Sequence, residues 1–190
     1  MLTIPNILTL LRIALIPVLC AVFYWQDPAS SLVAAGVFGL AALTDWVDGY
    51  LARKLQQMSN FGAFLDPVAD KLMVAVALVL LVADDPTGPS VLVTVSAAII
   101  IGREIVISAL REWMAELGLR ATIAVSMLGK VKTTFQMLAI FFMLLKLPYF
   151  GIDVYTIGLV LLQVAALLTL LSMIIYIRAA WPYLRDEVES

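Results

Sequence analysis

Histidine is absent from this chain of 190 residues, and cysteine occurs once, at Cys20. The first absence excludes histidine general bases, Ser–His triads and His-ligated zinc. The second excludes an internal disulfide and every Cys-x-x-Cys site. Charge is also scarce: 14% of the residues are Asp, Glu, Lys or Arg, against about 25% in ordinary soluble domains. With a formal net charge of −2, the chain offers a phosphodiester polymer no attraction, which rules out nucleic acid as a partner. What fills the gap is apolar. Hydrophobic residues make up 63% of the chain, more than the core of a domain this small can hide. A soluble monomer and a disordered chain are both excluded. Chemistry must then come from carboxylates, Arg, Lys, hydroxyls and bound ions.

A bilayer core of about 30 Å needs roughly 20 apolar residues of helix. Six stretches supply them, at 6–25, 31–52, 66–83, 90–109, 124–145 and 154–177. Backbone groups in lipid must be satisfied within the segment, so each stretch is predicted to be a helix. The separators are short and rich in turn residues, as in Gln26-Asp27-Pro28 and Pro86-Thr87-Gly88-Pro89. Tyr24, Trp25, Trp113, Tyr149, Tyr155, Trp181 and Tyr183 sit near the ends, as interfacial belts require. Eleven of the twelve Lys and Arg fall on the side of the termini and of the 2–3 and 4–5 links; only Lys146 falls opposite. The positive-inside rule therefore predicts cytoplasmic termini. The first span lacks a basic leader and a small-x-small cleavage site, so it is expected to be retained. The expected architecture is one all-α integral membrane domain over 1–190, a bundle of six transmembrane helices.

The informative stretch begins at Asp45-Trp46-Val47-Asp48-Gly49-Tyr50-Leu51-Ala52-Arg53 and continues to Gly62 and Asp66-Pro67-Val68-Ala69-Asp70. Asp45 and Asp48 are three residues apart, hence about 60° around one helix, and share a face. Asp66 and Asp70, four apart, share a face at the start of the next helix. A short link is expected to fold the two helices into a hairpin that brings all four carboxylates to one point at the cytoplasmic end. Four ionised carboxylates in an apolar bundle need cations between them. Oxygen ligands without Cys or His select Mg²⁺, Mn²⁺ or Ca²⁺ over zinc. Four of them shared between two helices suit a two-metal site for phosphoryl displacement. Gly49, Ala52 and Gly62 remove bulk so that a ligand can approach the backbone, and Arg53 can offer a charged fork to a diphosphate. Intramembrane ionisable residues are costly and functional by default.

The spacing Asp45-x₂-Asp48-Gly49-x₂-Ala52-Arg53-x₈-Gly62-x₃-Asp66-x₃-Asp70 resembles, without a departure, the signature of the CDP-alcohol phosphatidyltransferase family. Pro5-Asn6-Ile7-Leu8-Thr9-Leu10-Leu11-Arg12 is similar to that family's opening segment. Phe61–Lys71, Arg111–Gly118 and Gly129–Thr134 resemble its bacterial glycerol-phosphate-using members, so the likeness spans essentially the whole chain. The resemblance implies transfer of a phosphatidyl group from CDP-diacylglycerol to an alcohol, with CMP released, at the cytoplasmic face of a bacterial inner membrane. It implies that Asp45, Asp48 and Asp66 hold two divalent cations (Mg²⁺ or Mn²⁺). Asp70 would complete that site and act as general base. Gly49, Ala52, Arg53 and Gly62 would receive the CDP moiety, with Ser59, Asn6 and Thr9 as weaker candidates. A homodimer is also implied. Pro67 suits only a first helical turn, so the third helix is expected to begin near Asp66 or to kink there.

The acceptor is expected to be sn-glycerol 3-phosphate, a dianion that needs cations. Arg103 and Arg111 lie about 80° apart on one helix and could both face a cavity. Lys130 and Lys132 lie on opposite faces, so one of them is expected to point inward. Glu104, Glu112 and Glu116 are expected to pair with these cations. Residues 103–120 are polar on one face, which suits a helix protruding at the cytoplasmic surface. The alternatives are a sibling enzyme using phosphatidylglycerol, serine or inositol, a divalent-cation transporter built on the same Asp cluster, and a non-catalytic scaffold.

Overall fold

A computed structural model describes residues 4–55, 60–84, 90–116, 118, 127–146 and 153–188. Among them there are six α-helices and no strand: α1 (Ile4–Phe23), α2 (Ser30–Leu55), α3 (Asn60–Ala83), α4 (Val91–Glu116), α5 (Met127–Leu145) and α6 (Val154–Val188). Three of them, α1, α4 and α6, are long and apolar enough to cross a membrane by length and composition. Among the described residues, α2 and α5 contribute the apolar stretches Ser30–Asp45 and Val131–Leu145.

Three boundaries differ from the sequence expectation. Helix α3 begins at Asn60 and runs through Pro67, so the proline sits in the helix interior. It withholds one N–H from the ladder, a loss confined to a single bond. Helix α4 continues unbroken to Glu116, and α6 extends well past residue 177 to Val188. These two extensions support each other: Ile107 and Met114 of α4 bury against Tyr176 and Ala180 of α6. The polar stretch after Arg103 thus prolongs α4 with one face packed.

The helices close a ring in the order α1, α2, α5, α6, α4, α3, each packed on the next. Helices α2 and α3, joined by a short link, touch each other only sparingly, because α1 lies against both. The central core comprises Leu19, Phe38, Leu78, Leu81, Ile100, Ile140, Met143 and Leu162. Large apolar side chains such as Val91, Ile105 and Leu167 stay exposed on the outside of the ring.

The closest packing is between α5 and α6, and one glycine permits it. A Cβ on Gly158 would lie 2.7 Å from Met143 Cγ and 2.9 Å from the Ala139 carbonyl oxygen. Small residues let membrane helices approach in this way. Gly158→Val is therefore expected to cost about 1–3 kcal/mol through overpacking. Its melting midpoint in detergent should fall by several degrees, and an unchanged midpoint would contradict this packing.

Helix ends are capped by local chemistry. The Asp153 carboxylate accepts from the Tyr155 N–H at 3.1 Å and from the Thr156 hydroxyl, capping α6. The Thr156 hydroxyl holds the Asp153 carboxyl below the usual carboxylate range. Past the end of α4, Gly118 adopts φ +74° and its N–H bonds the Ala115 carbonyl at 3.1 Å. That is the left-handed turn that glycine favours at a helix C-terminus. At the same end of α5, Lys146 takes φ 50° and its Nζ reaches Asp84 Oδ2 at 2.8 Å, with the Phe23 ring 5.2 Å away. Lys146 thus ties together the ends of α1, α3 and α5.

Candidate active site

A cavity of about 490 Å³ opens between α2, α3, α4 and α5. Asp45 of α2 and Asp70 of α3 both line it, together with Lys71, Glu104, Thr133, Thr134 and Gln136. Two of the four sequence-predicted carboxylates thus face one space, and Asp66 precedes Asp70 by one turn of α3.

Helix α1 braces the acidic side. Asn6, Thr9 and Arg12 recur every three residues, and all are buried. The Thr9 hydroxyl donates to Asp66 Oδ1. Arg12 Nη1 lies 2.8 Å from Asp45 Oδ1. One helix therefore orients a carboxylate on each of its neighbours, and the Arg12 charge offsets part of the acidic cluster's. A buried guanidinium is tenable only when paired, which Asp45 provides. The role of Arg12 was not apparent from its charge alone. The signal was an Arg inside an apolar run, in register with Asn6 and Thr9 on one helical stripe.

The opposite wall is an ion cluster on α4 and α5. Glu104 Oε1 accepts from Arg103 Nη1 at 2.8 Å and from Lys132 Nζ at 2.9 Å. Arg103 and Lys132 are both buried, at 8% and 3% exposure. Arg103 also reaches back to α6, with Nη2 3.5 Å from Ser172 Oγ and the guanidinium 5.6 Å from the Tyr176 ring centroid. Lys71 donates to Ser108 Oγ, whose hydroxyl in turn bonds the Glu104 carbonyl at 2.6 Å.

The expected residues fall into three groups. Asp45, Asp66, Asp70 and Thr9 gather on the acidic side, with Asn6 on the Thr9 stripe of α1 and Gly62 buried in the first turn of α3. Arg103 and Lys132 meet at Glu104, but Arg111 is exposed on α4 and does not line the cavity. The rotation of about 80° between positions 103 and 111 carries Arg111 off the buried stripe. Gly49 and Ala52 belong to the last turns of α2, where the side chains from Asp48 to Leu55, Arg53 included, lie outside the described residues, as do Ser59 and the side chain of Lys130. Among the described residues no three acidic side chains form a metal-holding group. The pair that faces the cavity, Asp45 and Asp70, offers hard oxygen donors and no nitrogen or sulfur, a set that fits Mg²⁺ or Mn²⁺.

Aspartates from two neighbouring helices, Asp45 and Asp70, thus line one cavity of the helical ring, with α1 bracing the acidic side. The model of the CDP-alcohol phosphatidyltransferase family matches residues 2–181, and the chain belongs to that family. Its relatives include the CDP-diacylglycerol–glycerol-3-phosphate 3-phosphatidyltransferase of Pseudomonas fluorescens, 52% identical over 97% of this chain and 93% of that protein. The proteins of the same name from Salmonella choleraesuis (strain SC-B67) and Shigella flexneri are each 52% identical, covering 97% of this chain and 98% of their own.

Proposed function

We propose that this protein transfers the phosphatidyl group of CDP-diacylglycerol to sn-glycerol 3-phosphate, giving phosphatidylglycerophosphate and CMP. The observation that carries the reading is the identity of 52% over nearly the whole length of relatives so named. The cavity supports it, with Asp45 and Asp70 on one wall and the Arg103–Glu104–Lys132 cluster beside the other.

In the proposed reaction the acceptor hydroxyl attacks the β-phosphorus, a new P–O bond forms and the bond to CMP breaks. Asp70 takes the hydroxyl proton as that bond forms, when the alcohol becomes acidic enough for a carboxylate to serve. Asp45, Asp48, Asp66 and Asp70 would hold two Mg²⁺ or Mn²⁺ ions. When bound, these neutralise the diphosphate and the departing CMP. Arg12 and Thr9 keep two of the carboxylates in place. Gly49, Ala52, Gly62 and Arg53 would admit the CDP moiety, with Ser59, Asn6 and Thr9 as weaker candidates. Lys132 and Arg103 would supply positive charge for the acceptor phosphate, with Lys130 and Arg111 as further candidates.

The membrane setting follows from the substrate: the diacylglycerol tails stay in lipid while the headgroup enters the cavity. All six helices would span a bacterial inner membrane, with both termini and the cavity on the cytoplasmic side, in a homodimer. The distribution of Lys and Arg supports this orientation.

The test is turnover of labelled CDP-diacylglycerol by the purified full chain in detergent, with each acceptor alcohol in turn. Phosphatidylglycerophosphate formed with glycerol 3-phosphate is the expected product. Exclusive use of a neutral alcohol such as serine or inositol would overturn the acceptor. Divalent-ion uptake into vesicles with indifference to CDP-lipid would overturn the enzyme itself.

A further inference from the structure

An acid on the wall of a cavity that is to bind a dianion calls for an explanation. Glu104 lines the cavity, and in the transfer it neither takes a proton nor belongs to the aspartate signature. We infer that Glu104 is the positioning residue of the acceptor-phosphate pocket, holding the buried Lys132 ammonium against its own cavity-lining carboxylate through an oxygen it shares with Arg103. The inference rests on the proposed transfer to glycerol 3-phosphate and deepens it.

The geometry carries the assignment. A single oxygen, Oε1, accepts from both Lys132 Nζ at 2.9 Å and Arg103 Nη1 at 2.8 Å. Both cations are buried, and two buried like charges this close repel unless an anion lies between them. Arg103 is anchored from behind by Ser172 and Tyr176 of α6, which fixes Glu104 on its own helix. The Ser108 hydroxyl, itself held by Lys71, bonds the Glu104 backbone carbonyl from the turn below. Glu104 is thus the point at which α4 and α6 hold a cation of α5 in register with the cavity. Arg103 braces, and Lys132 is the charge held 2.9 Å from the carboxylate that lines the cavity. The glutamate leaves the cluster with one net positive charge, enough to attract a phosphate without stranding two bare cations beside the bilayer.

Glu104→Gln keeps the shape and removes the charge. The KM for sn-glycerol 3-phosphate should rise by about tenfold or more, the scale of a lost charge-assisted bond, while the KM for CDP-diacylglycerol stays within about twofold. Glu104→Asp, which keeps the charge, should recover part of the loss. Lys132→Met should weaken the same KM, and the double variant should be no worse than Lys132→Met alone, since the glutamate acts through the lysine. An unchanged or lower KM for the acceptor in Glu104→Gln would overturn the inference. So would equal losses for both substrates with additive effects in the double variant, the pattern of a merely structural residue. Wild-type protein that makes no phosphatidylglycerophosphate would defeat the proposed function itself, which separates the two failures.

Discussion

Asp70→Asn is expected to lower kcat by about a thousandfold, within the range that general bases supply, equivalent to about 4 kcal/mol of transition-state stabilisation. The substitution is isosteric and leaves α3 intact. It removes the only function a carboxylate has here that an amide lacks, an ionised oxygen that accepts the proton and binds a cation. Asp70 lines the cavity, and its carboxylate faces the same space as Asp45 across the boundary between α3 and α2. Asp66, one turn earlier, is already held by Thr9. Loss of Asp70 cannot be made good by its neighbour. Release of labelled CMP in detergent measures the effect. Asp84→Asn, at the far end of α3 where it pairs with Lys146, should leave the rate unchanged. Asp70→Asn turning over within tenfold of the wild type would remove Asp70 from the mechanism.

Chelation is expected to extinguish turnover by more than a factor of about one hundred, the scale on which bound cations stabilise transferring phosphates. Mg²⁺ or Mn²⁺ should restore it. Zn²⁺ should not, because the donors that face the cavity are carboxylates and the chain has no histidine. Arg12 is placed to offset part of the acidic charge at Asp45, so the protein should stay folded without the ions. Gel filtration after chelation should then be unchanged while activity is lost. Full activity under exhaustive chelation would refute the two-cation reading, and collapse of the fold would show that Arg12 does not suffice to hold the cluster.

Much of this was legible in the chain because lipid leaves few choices. An apolar run of about 20 residues must satisfy its backbone internally, so helix existence and order follow from hydropathy alone. Boundaries were less legible. Pro67 suggested a start for α3 near Asp66 or a kink there, yet the helix begins at Asn60, since loss of a single ladder bond does not stop a helix. Residue 109 marked the end of apolarity in α4. The polar face over 103–120 did point to further helix, which continues α4 to Glu116, but the surface of α6 on which Met114 packs is in no local pattern.

The site divides in the same way. That four aspartates stand at helical spacing on two consecutive segments, beside small residues and one arginine, is written in the order of the residues, because a helix converts spacing directly into a shared face. Which partners those side chains meet was decided by the ring of helices. It set α1 against both α2 and α3, so that Arg12 reaches Asp45 and Thr9 reaches Asp66. It also brought Lys132 across from α5 to the glutamate beside Arg103, while Arg111 was left outside. Spacing along one helix sets angles about its own axis. Only the packing of six axes sets which of those angles face one another.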